Sequence, residues 1–359
     1  MQNKRYLKYN EAILEATDQL LTQDEKNFVI GLGVNDPKAI FGTTLGLKKK
    51  YSEKRIMDMP ASENAMTGVV IGCAIMGLRP IMVHQRSDFF LLAMDQLINN
   101  AAKWYGMFGG QMSVPVVFRL IIGKGWGQGP QHSQALYGMF AQIPGIKIVM
   151  PSTPYDAKGL LIAAVKDKNP VIYIEHRWLH NIFGEVPKEM YDIEIGKAKV
   201  VKEGKDITII AISDGVLEAI KSLDILSKEK IDAEIIDIRT IKPLDKKTIL
   251  NSIKKTKRVL IVDSDWKMCS VSSEILAIIS EEFLNILKAL PRRLNWPEIG
   301  CPTSWSLSNH FYYNYKDIAV EVMKIMGLDK KSKILFDENI KIKNIKPQDI
   351  PDSTFKGPF

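Results

Sequence analysis

A chain of 359 residues, 46% hydrophobic and 25% charged, can bury full cores without covalent staples, and its length points to two or three domains. Its three cysteines, Cys73, Cys269 and Cys301, share no CxxC spacing, which argues against a disulfide framework or a zinc site and fits a reducing compartment. The net charge of +8 is spread along the chain, so its densest clusters, Lys48 to Lys50 and Lys254 to Arg258, read as solvated helix ends rather than a nucleic-acid footprint.

The first ten residues are basic and carry no apolar core, so no signal peptide is expected. The most apolar stretch, 65–78, is shorter than the roughly 20 residues a bilayer span needs, and Arg79-Pro80 ends it. No membrane role and a cytoplasmic location are the expectations.

Short β-rich runs then alternate with helical patterns, the signature of α/β units on a parallel sheet. Strands are predicted at 28–31, 55–58, 81–83, 114–120, 146–150 and 171–174. Helices are predicted from Ser62, over 88–106 and over 153–166. Residues 181–196 have Gly184, Pro187, mixed charges and no period, and read as a linker. A second alternating set starts at Lys197, with strands at 207–211, 233–237 and 259–262 and helices from about Val216, Lys246 and Ser272. The fold class is α/β, with two doubly wound domains at 1–180 and 197–328. Residues 329–359 are Lys-, Ile-, Asp- and Pro-rich without amphipathic period, and are expected to form a partly ordered surface tail or a subunit contact.

Three segments could carry chemistry. Ser62 is a candidate N-cap, and Glu63 then opens a small, apolar helix containing Gly68 and Gly72. Those glycines share a face and predict close approach of a neighbouring backbone. Glu63 either complements the helix dipole or is a carboxyl whose desolvation favours its protonated form. Gly123 to Gly129 holds four glycines in seven residues and matches neither a P-loop nor a dinucleotide fingerprint. His132 at its end is either a solvated loop histidine or a general acid/base or oxyanion donor. The third segment, Lys166 to Pro170, reads alone as an ordinary helix-to-strand turn. His84, His176 and His180 have no partner at a metal-ligand spacing.

Taken in order, a set of landmarks carries a resemblance over about 9–326. They are Met59-Pro60-Ala61-Ser62-Glu63, Gly77-Leu78-Arg79-Pro80, Asp95-Gln96-Leu97-Ile98-Asn99, Gly109-Gly110-Gln111, Gly129 to Gln134, Pro151-Ser152-Thr153-Pro154 and Arg239 to Asp245. The chain resembles the β subunit of the thiamine-diphosphate-dependent decarboxylase component of 2-oxo acid dehydrogenases, the group of the pyruvate, branched-chain and acetoin enzymes. That resemblance implies a pyrimidine-binding domain followed by a transketolase C-terminal-like domain. It implies that Glu63 hydrogen-bonds the aminopyrimidine of the cofactor, with Gln85 and Phe89 beside that ring. It implies that His132 handles charge at the reacting carbon. Backbone carbonyls of Val116, Ala164, Val165 and Asn169, with Asp167, match a structural potassium site. The family's diphosphate and Mg2+ motif, Gly-Asp-Gly with a later Asn, is absent. The resemblance therefore implies an α subunit that carries this motif, in an α2β2 assembly.

Two departures bear on the substrate. Arg86 stands where relatives carry apolar or small residues, and is either an ion-pair partner, for instance of Asp88, or a clamp for a substrate carboxylate or phosphate. Cys269-Ser270 stand where relatives usually have His-Gly, in the region that docks a lipoyl acyltransferase. The main reading is decarboxylation of a 2-oxo acid with acyl transfer to a lipoyl or other acceptor. The alternatives are a split transketolase or acyloin synthase acting on an aldehyde or sugar, and a non-catalytic regulatory β homologue, against which retention of Glu63 and His132 argues.

Overall fold

A computed structural model describes residues 4–124 and 127–345. Gly125 and Trp126 of the glycine-rich loop, and 346–359 of the expected tail, lie outside the described residues. The chain gathers into two compact units, one of residues up to 123 with 140–195, the other of 124–139 with the residues from 196 onward.

Up to residue 195 the elements are β1 (Tyr6–Lys8), α1 (Tyr9–Gln23), β2 (Asn27–Gly31), α2 (Leu47–Tyr51), β3 (Ile56–Asp58), α3 (Glu63–Ile75), β4 (Arg79–His84), α4 (Ser87–Phe90), α5 (Ala102–Met107), β5 (Val117–Ile122), α6 (Tyr137–Ala141), β6 (Lys147–Val149), α7 (Pro154–Lys166), β7 (Val171–His176) and β8 (Phe183–Glu185). The first unit's sheet runs β6-β7-β5-β4-β2-β3, with every one of these pairs parallel. β2, β5 and β7 are buried along their whole lengths, as strands covered on both faces must be. α7 starts where Thr153 accepts a hydrogen bond from the Asp156 N–H at 3.1 Å and Pro154 presets the first turn.

Four features differ from the sequence-based expectation. Helix α1 is additional to the expected elements; Tyr9, Ala12, Ile13, Ala16, Leu20 and Leu21 form its buried stripe at helical spacing, which packs on α7. The single helix expected over 88–106 is broken into α4, a 3-10 turn at Leu91–Ala93, a π-helical segment at Gln96–Ala101 and α5. The segment read as a linker packs into the first unit: β8 pairs with β1, Arg5 donates to the Val186 carbonyl at 3.1 Å, and Tyr191 stacks on Tyr155. Finally, Gly68 and Gly72 meet no backbone: a side chain at Gly68 would touch only Gln96, and at Gly72 nothing within 4 Å.

The second unit contains β9 (Lys199–Lys202), β10 (Ile207–Ala211), α8 (Asp214–Lys228), β11 (Ala233–Asp237), β12 (Thr240–Lys242), α9 (Lys246–Thr256), β13 (Val259–Trp266), α10 (Val271–Phe283), β14 (Arg292–Trp296), α11 (Trp305–Phe311), α12 (Tyr315–Ile325) and α13 (Asp329–Ile345). Its sheet runs β14-β13-β10-β11-β9, parallel except for β9 at the edge. Within the stretch expected as a partly ordered surface tail or subunit contact, residues 329–345 form helix α13. Its buried positions are Ser332, Asn339 and Lys343. Asn339 donates to Asp317 at 2.8 Å, and Lys343 pairs with Asp317 at 2.8 Å and reaches the Tyr312 carbonyl. The inward face is polar, so a search for an apolar stripe misses it.

Candidate functional site

In an open parallel α/β sheet, ligands bind outside the carboxyl ends of the strands. Four strands of the first sheet deliver candidate residues to that edge. β3 ends at Asp58 and leads to Glu63; β4 ends at His84 and leads to Gln85, Arg86 and Phe89; β2 ends at Gly31; and β7 ends at His176, just before Arg177. Glu63 is the first residue of α3 and is half-buried. Ser62 occupies the N-cap position, but its side chain makes no capping hydrogen bond. Gln85 donates to the Leu32 carbonyl at 3.1 Å. Gly33, at φ +74°, donates its N–H to Asp58 at 2.9 Å, and a side chain there would strike Gln85. The turn after β2 is thus held against both β3 and β4. Phe89 is half-buried on α4. Histidine 84 is buried against Phe90 and is pushed down to about 3 by desolvation, so it stays neutral and belongs to the core.

By residue type these groups suit the pyrimidine end of thiamine diphosphate, which takes a carboxyl for its ring nitrogen and an aromatic side chain for its face. No glycine-rich turn with an acidic partner of the Gly-Asp-Gly type stands in the sequence to take the diphosphate. Among the described residues no three His, Cys, Asp or Glu side chains converge as a metal site.

The residues matched to a potassium site lie at the opposite, amino edge of the same sheet, where Val116 precedes β5 and Asn169 precedes β7. The turn is already engaged with fixed cations. Arg79 donates to the carbonyls of Val165 at 2.6 Å and Asp167 at 3.1 Å, and Lys147 pairs with the Asp167 carboxylate. The Val116 carbonyl accepts from the Val171 N–H at 2.9 Å, and the Asn169 N–H donates to Asp167 at 2.9 Å. Each carbonyl keeps a second lone pair, so a monovalent cation would have to share the turn with Arg79 and Lys147.

The His132 segment is anchored in the second unit, whereas Glu63 belongs to the first. His132 is half-buried, and its N–H reaches the Gly129 carbonyl at 3.4 Å. Gly129 has φ +70°, and a side chain there would meet the Thr303 hydroxyl at 2.6 Å. Cys301 donates to the Ser133 carbonyl at 3.4 Å.

A buried polar network that the sequence did not reveal holds both ends of this loop. Lys124 and Asp214, both nearly inaccessible, pair at 2.6 Å. Ser264 donates to Asp214 at 2.8 Å and shares a hydrogen bond with Tyr313 at 2.6 Å. Tyr137 donates to Asp263, and the Gly138 N–H reaches Asp265 at 3.3 Å. Burial, reinforced by Asp263, pushes the Asp265 carboxyl up to about 8. Partners separated by 90 to 127 residues leave no local pattern. The one signal was Ser213-Asp214-Gly215 at the carboxyl end of β10.

Residues 5–181 match the family described as the transketolase pyrimidine binding domain, and 196–318 match the transketolase C-terminal domain. Curated relatives extend the match to whole subunits. The chain is 39% identical over 331 residues to the β subunit of acetoin:2,6-dichlorophenolindophenol oxidoreductase of Cupriavidus necator, covering 90% of this chain and 98% of the relative. It is 42% identical to the 2-oxoisovalerate dehydrogenase β subunit of Bacillus subtilis, covering 86% and 95%. It is 41% identical to the pyruvate dehydrogenase E1 β subunit of Acholeplasma laidlawii, covering 84% and 92%. A solved structure described as a split gene transketolase, inactive beta4 tetramer, superposes with a TM-score of 0.73 over 89% of this chain and 98% of its own; at 20% identity the likeness is one of fold. Among the described residues no helix is long and apolar enough to cross a membrane. The chain belongs to the family of E1 β subunits of the thiamine-diphosphate-dependent 2-oxo acid dehydrogenases, built from a transketolase pyrimidine-binding domain and a transketolase C-terminal domain.

Proposed function

We propose that this chain is the pyrimidine-side half of a cytoplasmic enzyme that decarboxylates a 2-oxo acid and passes the acyl group to a lipoyl or other acceptor. The observation that carries the reading is Glu63 at the head of α3, at the carboxyl edge of the sheet that also presents Gln85 and Phe89. Thiamine diphosphate, when bound, supplies the carbon nucleophile for the 2-oxo carbonyl and stores the electrons freed with carbon dioxide. Glu63 hydrogen-bonds the aminopyrimidine and exchanges a proton with its ring nitrogen. Phe89 packs against the ring and excludes water from it, and Gln85 fixes the turn behind it. His132 donates to, or takes a proton from, the oxygen on the reacting carbon.

The diphosphate and its Mg2+ fall to an α subunit bearing Gly-Asp-Gly and Asn, in an α2β2 assembly. The outer face of α3 supports a partner: Val69, Gly72 and Met76 line it, and Val69 and Met76 are 54% and 83% exposed. Potassium at Val116, Ala164, Val165, Asp167 and Asn169 would rigidify the turn before β7 and take no part in proton transfer. Whether a lipoyl acyltransferase docks turns on the second unit, where Cys269 is exposed at φ +55°.

The test is to co-purify the chain with its α partner, add thiamine diphosphate and Mg2+, and screen 2-oxo acids with an artificial electron acceptor. Cofactor-dependent reduction with at least one 2-oxo acid is expected. Tight cofactor binding with no turnover of any 2-oxo acid, and aldehyde transfer instead, would replace this reading by the transketolase-like one.

A further inference from the structure

The second unit holds a cavity of about 620 Å³ that is lined by none of the residues proposed for catalysis or cofactor binding. A volume of that order is usual for a small-molecule site. The edge strand β14 contributes Arg293 and Trp296 to its lining, and α12 and α13 contribute the rest of the wall together with the segment around Phe311. Helix α13 lies beyond residues 196–318, the stretch that matches the transketolase C-terminal domain, so part of this wall is an addition to that domain. Phe336, Ile340 and Lys343 recur at helical spacing and give one face of α13 to the cavity. Phe336 remains 43% exposed there.

The lining combines flat apolar surface with donors that lack an anionic acceptor. Trp296 is 2% exposed, and the ring centres of Phe311 and Tyr312 each stand 5.4 Å from its own. Its indole N–H is buried and meets no hydrogen-bond acceptor among the described residues. A buried donor without an acceptor is a standing cost, which an acceptor brought to this wall removes. The carboxylates of the lining are already held: Asp317 pairs with Lys343 at 2.8 Å, and Glu321 with Arg292 at 2.9 Å and Lys324 at 2.7 Å. Arg293 donates to the Lys267 carbonyl at 3.0 Å and to the Ser273 hydroxyl, both neutral acceptors. Lys267 is exposed and lines the same cavity. Among the described residues no carboxylate lies within ion-pair distance of Arg293 or Lys267.

We propose that this cavity binds a small anion carrying a flat ring, the chemistry shared by nucleoside monophosphates and aromatic carboxylates. The ring packs on the aromatic wall of Trp296 and Phe336, and an acceptor at its edge answers the Trp296 N–H. Arg293 and Lys267 take the anionic group, the first as a planar fork and the second as a mobile point charge. The cavity belongs wholly to the second unit, and its occupation requires neither thiamine diphosphate nor an α subunit, so the site stands independently of the function proposed above.

The experiment is calorimetric titration of the full chain with AMP and with indole-3-carboxylate, each a ring with an anion, and with adenosine and inorganic phosphate as the ring and the anion alone. At least one of the first two is expected to bind at a single site per chain, about tenfold or more tighter than adenosine or phosphate; which one does so separates phosphate from carboxylate. Arg293→Met is expected to weaken that binding about tenfold or more, and Arg293→Lys to keep part of it. Lys267→Glu changes an exposed side chain, leaves the fold intact and is expected to weaken binding in the same direction. The bound ligand is expected to raise the melting temperature of wild type and not that of Arg293→Met, and excess thiamine diphosphate to leave the affinity unchanged. The site is overturned if neither ring-bearing anion binds, if adenosine or phosphate alone binds as tightly, if Arg293→Met and Lys267→Glu keep the wild-type affinity, or if thiamine diphosphate displaces the ligand.

Discussion

Glu63 and His132 are held in opposite ways. His132 rides on a loop whose ends are fixed by buried charges of the chain itself, Lys124 with Asp214 and Tyr137 with Asp263. Glu63 heads a helix whose N-cap side chain makes no capping hydrogen bond and whose outer face exposes Val69 and Met76, with nothing among the described residues within 4 Å of a side chain placed at Gly72. The first is pre-organised by its own unit; the second, on the function proposed above, is completed by another chain.

That contrast can be broken or sharpened at graded cost. Glu63→Gln in the holoenzyme keeps size and a hydrogen bond but removes the exchangeable acid; a loss of about 10²–10⁴ in kcat is expected, with cofactor affinity measured in parallel. Lys124→Met leaves Asp214 buried without its cation and is expected to destabilise the chain by about 3–5 kcal/mol in denaturant unfolding, while Lys124→Met with Asp214→Leu recovers most of that loss. His132→Ala is expected to lower kcat by more than about tenfold without changing the melting temperature. Asp265 gives a pH signature. Its folded value is raised to about 8, so the native state binds the extra proton and stability falls as pH rises from about 4 to about 8. The slope is at most roughly 1.4 kcal/mol per pH unit, and Asp265→Asn should flatten it. Smallest on the isolated chain is Met76→Lys: within about 0.5 kcal/mol of wild type alone, yet impaired in assembly as read by sedimentation.

What the sequence disclosed follows the same divide. Strands buried on both faces and the caps of α7 and α9 are local signals, and they place Glu63, Gln85, Arg86 and Phe89 at one sheet edge. Helix α1 carries an equally clear stripe at helical spacing. Helix α13 was not legible from hydrophobic pattern, because Ser332, Asn339 and Lys343 are what it buries. The expected close approach at Gly68 and Gly72 is an inference about a neighbour, and no backbone among the described residues lies there.

The central claim is that this chain holds only one end of the cofactor site. Its most direct test is 2-oxo acid turnover by the purified chain with saturating thiamine diphosphate and Mg2+, before and after adding the α subunit. The account predicts no turnover alone and full turnover on addition, abolished by Glu63→Gln; comparable turnover by the chain alone would contradict it.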